Sequence, residues 1–295
     1  MANPVSDFVS IHTLTNRFEA DLLVDALQKE GIPAFVRSFE ETPYNGLFIS
    51  QRGWGLIMVP EEAVDKAKGI VKTIVDSLKS KSIFTDPSEI DPVLWEELRK
   101  AEPETIRGNA LVQFDATTGA YGFVFLNSPY LCFPAGETIE PAETNPCDHS
   151  EFSFYLAVLH YLLEARPVGV KGVWISEKEI PGGELFFRGH HRLPIDPIKE
   201  LFGTRPDLFQ AVAAQAGGIP MDMGDVAFQF RVLPRIPLVL VLWKGDDEFD
   251  PELKVLFDET VHQHFRNLDT IWALVGAVSR CLHRIAKSLL EEGRG

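Results

Sequence analysis

Val226-Ala-Phe-Gln-Phe-Arg-Val-Leu-Pro-Arg-Ile-Pro-Leu-Val-Leu-Val-Leu-Trp243 carries the strongest structural signal in the chain. Val226, Phe228, Phe230 and Val232 alternate with smaller or polar residues, the period-two pattern of a strand with one buried face. Leu233-Pro-Arg-Ile-Pro237 turns the chain, and Leu238 to Trp243 returns almost wholly apolar. That second run has strand length and leaves no face for water, so it reads as a central strand covered on both sides. The hairpin is therefore the spine of a compact unit that turns the charged segments following it outward.

Around this spine the pattern is mixed. A helix over about Asp269 to Leu290 shows the stripe Ile271, Leu274, Val275, Val278, Cys281, Leu282, Ile285 and Leu289. Asp148 or Ser150 opens another helix through Glu164, apolar nearly all round and so expected to be buried. Ile195 to Leu201 and Asp207 to Ala216 are short helices, the second stopped by Gly217-Gly218. Pro92 to Ala101 is a short helix, with Ala110 to Phe114 and Tyr121 to Leu126 flanking the turn Asp115-Ala-Thr-Thr-Gly-Ala. Tyr130 to Phe133 and Gly172 to Glu177 add strands. Residues 93–295 are expected to form an α+β domain with a mainly antiparallel sheet.

Residues 1–79 read as a separate βαββα unit. Phe8 to Leu14 is a strand. Asn16 caps a helix with Glu19 three residues on, striped by Phe18, Leu22, Leu23, Ala26 and Leu27 and ended by Gly31. Ala34 to Val36 is a strand, and Leu47 to Ser50 and Gly55 to Val59 form a hairpin. Pro60-Glu-Glu opens a last helix striped by Val64, Ala67, Val71, Ile74, Val75 and Leu78. Residues 80–92, rich in Ser, Lys, Thr, Asp and Pro, form the linker.

The 295 residues suit two domains, and 45% hydrophobic content excludes disorder. The formal net charge is −15. Residues 1–80 hold 8 basic against 11 acidic side chains and the remainder 20 against 32, so a net −12 lies in the second domain. Such a surface repels phosphate backbones and anionic lipids, which excludes nucleic acid and membrane as partners. The three cysteines, Cys132, Cys147 and Cys281, are too few and too scattered for a secreted disulfide framework. They read as reduced thiols in a cytoplasmic protein, Cys281 in the core.

The first domain resembles the prokaryotic signal-transducing protein family. The resemblance lies in Asn16-Arg-Phe-Glu-Ala-Asp-Leu-Leu with Leu27-Gln-Lys-Glu-Gly-Ile-Pro-Ala, in Gly53-Trp-Gly-Leu, and in Val59-Pro-Glu-Glu-Ala-Val-Asp-Lys-Ala. It implies a ferredoxin-like fold and, by analogy, small-molecule sensing or homo-oligomer association. The second domain resembles an uncharacterised domain family best known from anaerobic bacteria and archaea. That resemblance rests on Pro181-Gly-Gly-Glu-Leu-Phe, on Ala214-Gln-Ala-Gly-Gly, and on the block from Leu233 to Phe249 with Val255-Leu-Phe-Asp. Some relatives are fused to iron-sulfur domains of the kind seen in corrinoid proteins. This implies, as one reading, an enzyme or accessory factor of anaerobic, corrinoid/methyl or metal-linked metabolism, although this chain carries no such cysteine cluster.

Four runs carry candidate chemistry. Arg188-Gly-His-His-Arg192 gathers two guanidinium forks and two imidazoles in an acidic domain, a pattern suited to a small anionic ligand. The alternative is a solvated loop paired with surface acids. Asp246, Asp247 and Glu248 follow the apolar strand and, with Asp258 near, could hold a hard cation or simply cap a turn. His262 and His264 would share a face if they lay in a strand, and could chelate zinc or iron given a third ligand such as Asp258. Cys147, with His149 as base, could be an activated thiol at a helix N-terminus. Pro181-Gly-Gly183 reads as a turn, because no helix-opening Lys-Ser or Lys-Thr follows it. No residue set identifies a cofactor or a reaction, so a ligand-binding or accessory module is the leading expectation and an enzyme the alternative.

Overall fold

The computed structural model describes residues 8–14, 17–38, 55–80, 86–143, 151–246 and 248–292; among these, the side chains of 17–19, 21, 76–80, 190 and 292 are not described. The chain divides into two compact units, residues 1–83 with 188–190, and residues 84–187 with 191–295.

In the first unit, β1 (Phe8–Leu14), α1 (Arg17–Lys29), β2 (Phe35–Ser38), β3 (Gly55–Pro60) and α2 (Val64–Ser80) follow in order. β3 lies between β1 and β2 and is antiparallel to both. β1 and β2 are therefore parallel strands joined through α1 and split by β3. The helix stop at Gly31 is a Schellman motif: Ile32 N–H donates to Leu27 O at 2.9 Å and Gly31 N–H to Gln28 O at 3.0 Å. Gly31 takes φ +74°, the left-handed conformation glycine adopts without a Cβ penalty. Leu23, Leu27, Ile57, Val59, Ala67 and Val71 bury themselves between sheet and helices. The expected Asn16 cap and the Leu47 to Ser50 strand lie outside the described residues.

The second unit begins with α3 (Pro92–Lys100) and α4 (Pro103–Ala110), then a four-stranded meander: β4 (Gln113–Asp115), β5 (Ala120–Phe125), β6 (Ser128–Phe133) and β7 (Thr138–Pro141). The sequence reading begins a strand at Ala110. Instead Ala110 ends α4 and Leu111 is left-handed, φ 54° and ψ 45°, so the strand waits until Gln113. α5 (Phe152–Glu164) is buried on most sides, as its composition requires.

β8 (Trp174–Ser176), α6 (Gly183–Phe186), α7 (Asp196–Phe202), α8 (Pro206–Gln215), β9 (Ile219–Met221), β10 (Val226–Leu233), β11 (Ile236–Trp243), β12 (Glu252–Asp258), α9 (Val261–His264) and α10 (Leu268–Glu292) complete it. The five-stranded antiparallel sheet has the order β8-β12-β11-β10-β9, which puts β11 in the centre. Leu238, Leu240 and Leu242 face the main core, while Val239 and Val241 are buried on the opposite face with Ala227. α10 packs along α5, α7 and α8. Aromatic side chains fill the space between the two sheets and these helices: Phe125 and Phe154 meet edge to face at 5.0 Å, and Phe202 stacks on Phe209 at 5.0 Å.

Cys281 is buried as expected, but it is disulfide-bonded. The expectation of reduced thiols throughout is therefore corrected at this position. Cys132 is free and buried, with its thiol pushed up by burial, and Cys147 and His149 lie outside the described residues. No helix among the described residues is long and apolar enough to cross a membrane.

Candidate functional site

The run Arg188 to Arg192 forms a single 3-10 turn, Gly189–His191, between α6 and α7. Arg188, His191 and Arg192 are exposed, and the His190 side chain is outside the description. The His191 ring lies 4.5 Å from the Phe186 ring. The carbonyl of Arg192 accepts a hydrogen bond from the Trp272 indole N–H at 2.9 Å, which pins the turn to α10. The Arg192 guanidinium makes no ion pair or hydrogen bond among the described residues. The backbone is thus held while the charged end stays open to solvent.

The acidic segment folds back on itself. Asp246 Oδ1 accepts the N–H groups of Glu248 and Phe249, each at 2.8 Å, and these bonds hold its carboxyl below the usual range. Asp247 lies outside the described residues. β11 and β12 pair from Leu238↔Phe257 to Trp243↔Glu252. Asp246 lies beyond one end of that ladder and Asp258 closes β12 at the other, about 20 Å from Glu252 along a strand that rises ~3.3 Å per residue. Asp246 and Glu248 therefore do not join Asp258.

The two histidines part as well. They lie in α9, not in a strand, and positions two apart on a helix point about 200° from each other. His262 is exposed, whereas His264 is fully buried. Among the described residues, no group of three or more His, Cys, Asp or Glu side chains is placed to hold a metal ion. The strand geometry on which the His-x-His chelate depended is absent.

The buried Asp258 and His264 belong instead, with the half-buried Arg235, to a polar belt. Asp258 is 1% exposed. It accepts from Gly172 N–H at 2.6 Å, Lys171 N–H at 3.1 Å, Thr260 N–H at 3.1 Å and Thr260 Oγ1 at 2.6 Å. Burial works to raise its carboxyl, but the bonds from Thr260, Gly172 and Lys171 outweigh it and leave the group below its ordinary range. His264 Nδ1 accepts the Arg166 N–H at 3.4 Å, and its Nε2 has no hydrogen-bond partner among the described residues. Burial, with the nearby Arg235 charge, pushes His264 down to about 4.

The Arg235 guanidinium donates to the carbonyls of Asn109, Gly108 and Val168, and its own N–H donates to Tyr161 Oη. Tyr161 Oη in turn donates to Ala110 O at 2.7 Å. Glu164 accepts from His160 Nδ1 at 2.8 Å and from Arg266 N–H at 2.7 Å. Burial alone would raise Glu164; those bonds bring it below its ordinary value.

A domain of unknown function, DUF3786, matches residues 102–280, from the N-cap of α4 into α10. The chain belongs to the DUF3786 family. No curated protein and no solved structure matches it. The DUF3786 match takes in every candidate side chain considered above, from Arg188 to His264, and the whole five-stranded sheet. α3 falls outside it, yet Trp95 and Leu98 pack into the same core as the DUF3786 elements.

Sequence reasoning passed over the residues that organise the DUF3786 belt. Arg235 was legible only as part of a turn, although an arginine between two prolines, bounded by apolar strands, has few ways to keep its charge solvated. Tyr161 and His160 sit on a helix whose apolar residues dominated its reading. Nothing in the sequence shows that Arg235 reaches the end of α4, because that contact spans more than a hundred residues.

Proposed function

We propose that the protein is a ligand-binding accessory or regulatory module whose second domain takes a small anionic ligand at the Arg188–Arg192 turn. The observation that carries this reading is the Arg192 guanidinium, unpaired among the described residues in a domain of strong negative charge, on a turn anchored by the Trp272 bond. A planar guanidinium fork matches a carboxylate or phosphate, and His191 beside it supplies a further donor. The sequence adds Arg188 and His190 to the proposed set. The first domain is read as a ferredoxin-like sensing module that also carries homo-oligomer contacts. Its split βαβ arrangement supports that reading.

The test is calorimetric titration of the full chain with inorganic phosphate and with succinate. Saturable heat that vanishes in an Arg188→Ala, Arg192→Ala double variant of unchanged stability is the expected result. Equal affinity in the double variant, or no binding of either anion, overturns the assignment.

A further inference from the structure

A groove of about 480 Å³ opens where the two sheets of the second unit meet, remote in sequence from the Arg188 turn. β10 pairs with β9 only from Ala227 to Gln229, leaving the later part of its edge to the β5–β6 turn, where Leu126 N–H donates to Val232 O. Leu111, Val124 and Ile219, residues 56%, 43% and 58% exposed, line the groove. Gln229 and Arg231 of β10 and Asn127 of the turn supply its polar groups. Arg231 is the one charged residue among the described lining residues, and it has no ion pair among the described residues. The adjoining hollow of about 690 Å³, which shares Leu111, differs: its Arg107 is bound to Glu104 at 2.8 Å.

Leu111 is out of place on two counts. It occupies the left-handed position that ends α4, where glycine or asparagine is usual and a leucine carries a Cβ penalty. Its side chain gains little from burial in return. A glycine would satisfy the fold better, so the leucine is explained by what it offers to the groove.

We propose that this groove binds a small apolar molecule bearing a single carboxylate. The carboxylate lies on the Arg231 guanidinium with the Gln229 and Asn127 amides beside it, and the apolar body lies against Leu111, Val124 and Ile219. The volume falls in the range of small-molecule sites, and one unpaired cation in an otherwise uncharged apolar groove matches one anionic head. This site is independent of the Arg188 turn.

The experiment titrates the full chain with decanoate, with decanol as the uncharged control and decyltrimethylammonium as the cationic one. Decanoate is expected to bind saturably at one site, with decanol weaker by about tenfold and the cation weaker still. Arg231→Gln should reduce decanoate affinity by about tenfold and leave decanol unchanged. Leu111→Gly should raise the melting temperature by about 2–4 °C while weakening decanoate several-fold. No saturable decanoate binding, equal affinity for decanol and decanoate, or full decanoate affinity in Arg231→Gln would overturn the proposal. Loss of decanoate binding in Arg192→Ala with Arg231→Gln unaffected would also overturn it, by moving the ligand to the other turn.

Discussion

Arg235 directs its whole guanidinium at carbonyl oxygens, two of them the open carbonyls at the end of α4, where the helix dipole favours a positive charge. Removing it leaves those groups without donors in a half-buried site. Arg235→Ala should therefore lower unfolding stability by about 3 kcal/mol in urea denaturation, and Arg235→Lys should recover only part, because an ammonium cannot fork. His264 sets the acid limit from the same belt. Its folded value of about 4 lies below the ordinary 6.5, so the unfolded chain takes up the proton first. That contribution to stability is complete above pH 6.5 and is lost as the pH falls from 6.5 towards 4, by about 3 kcal/mol in all. His264→Met should flatten this slope in urea melts across that interval, since no strong bond at Nε2 is forfeited; a slope equal to the parent's would show that other groups cause it. The exposed Arg192 was legible in the sequence as part of a charged run. The buried partners of Arg235 and Asp258 were not, because a hydrogen bond to a distant carbonyl leaves no mark on residue type.

At the scale of elements, legibility followed periodicity. The hairpin from Val226 to Trp243, α5, α10 and the Gly31 stop were readable because apolar spacing and a left-handed glycine each specify a local conformation. α4 and β12 were harder. α4 is short and ends in a leucine where glycine is expected, so the reading slid into strand. β12 begins inside an acidic segment, and its Leu253, Val255 and Phe257 alternation is hidden behind Asp246 to Glu252. α9 is four residues long, too short for any period, so nothing in the sequence marked that His262 and His264 lie in a helix and not in the strand that a shared face requires. The Pro181-Gly-Gly183 turn divides its work between two glycines. Gly182 has φ +80° with room for a side chain, whereas a Cβ on Gly183 would stand 2.0 Å from Glu177 O. Gly183→Ala should displace the turn and cost several kcal/mol, more than Gly182→Ala at about 1 kcal/mol, as read by chemical denaturation of the two variants.

For the whole molecule, each unit has its own interior: Leu23, Leu27, Ile57 and Val59 in one, and the aromatic-rich assembly around β11 and α10 in the other. A fragment comprising residues 86–295 should therefore retain cooperative unfolding and native near-ultraviolet circular dichroism; a molten spectrum would mean that its core depends on the first unit. The larger unit also ends its sheets in a particular way. β8, β9 and β4 are three residues long and β7 four. These outer strands themselves present few open backbone groups to a passing chain, although they cover only Leu256 to Asp258 of β12 and Ala227 to Gln229 of β10. The long apolar run of β11, which in isolation would be a strong seed for fibrils, lies two strands in from either rim. Concentrated protein should accordingly stay free of cross-β aggregates until the sheet itself comes apart.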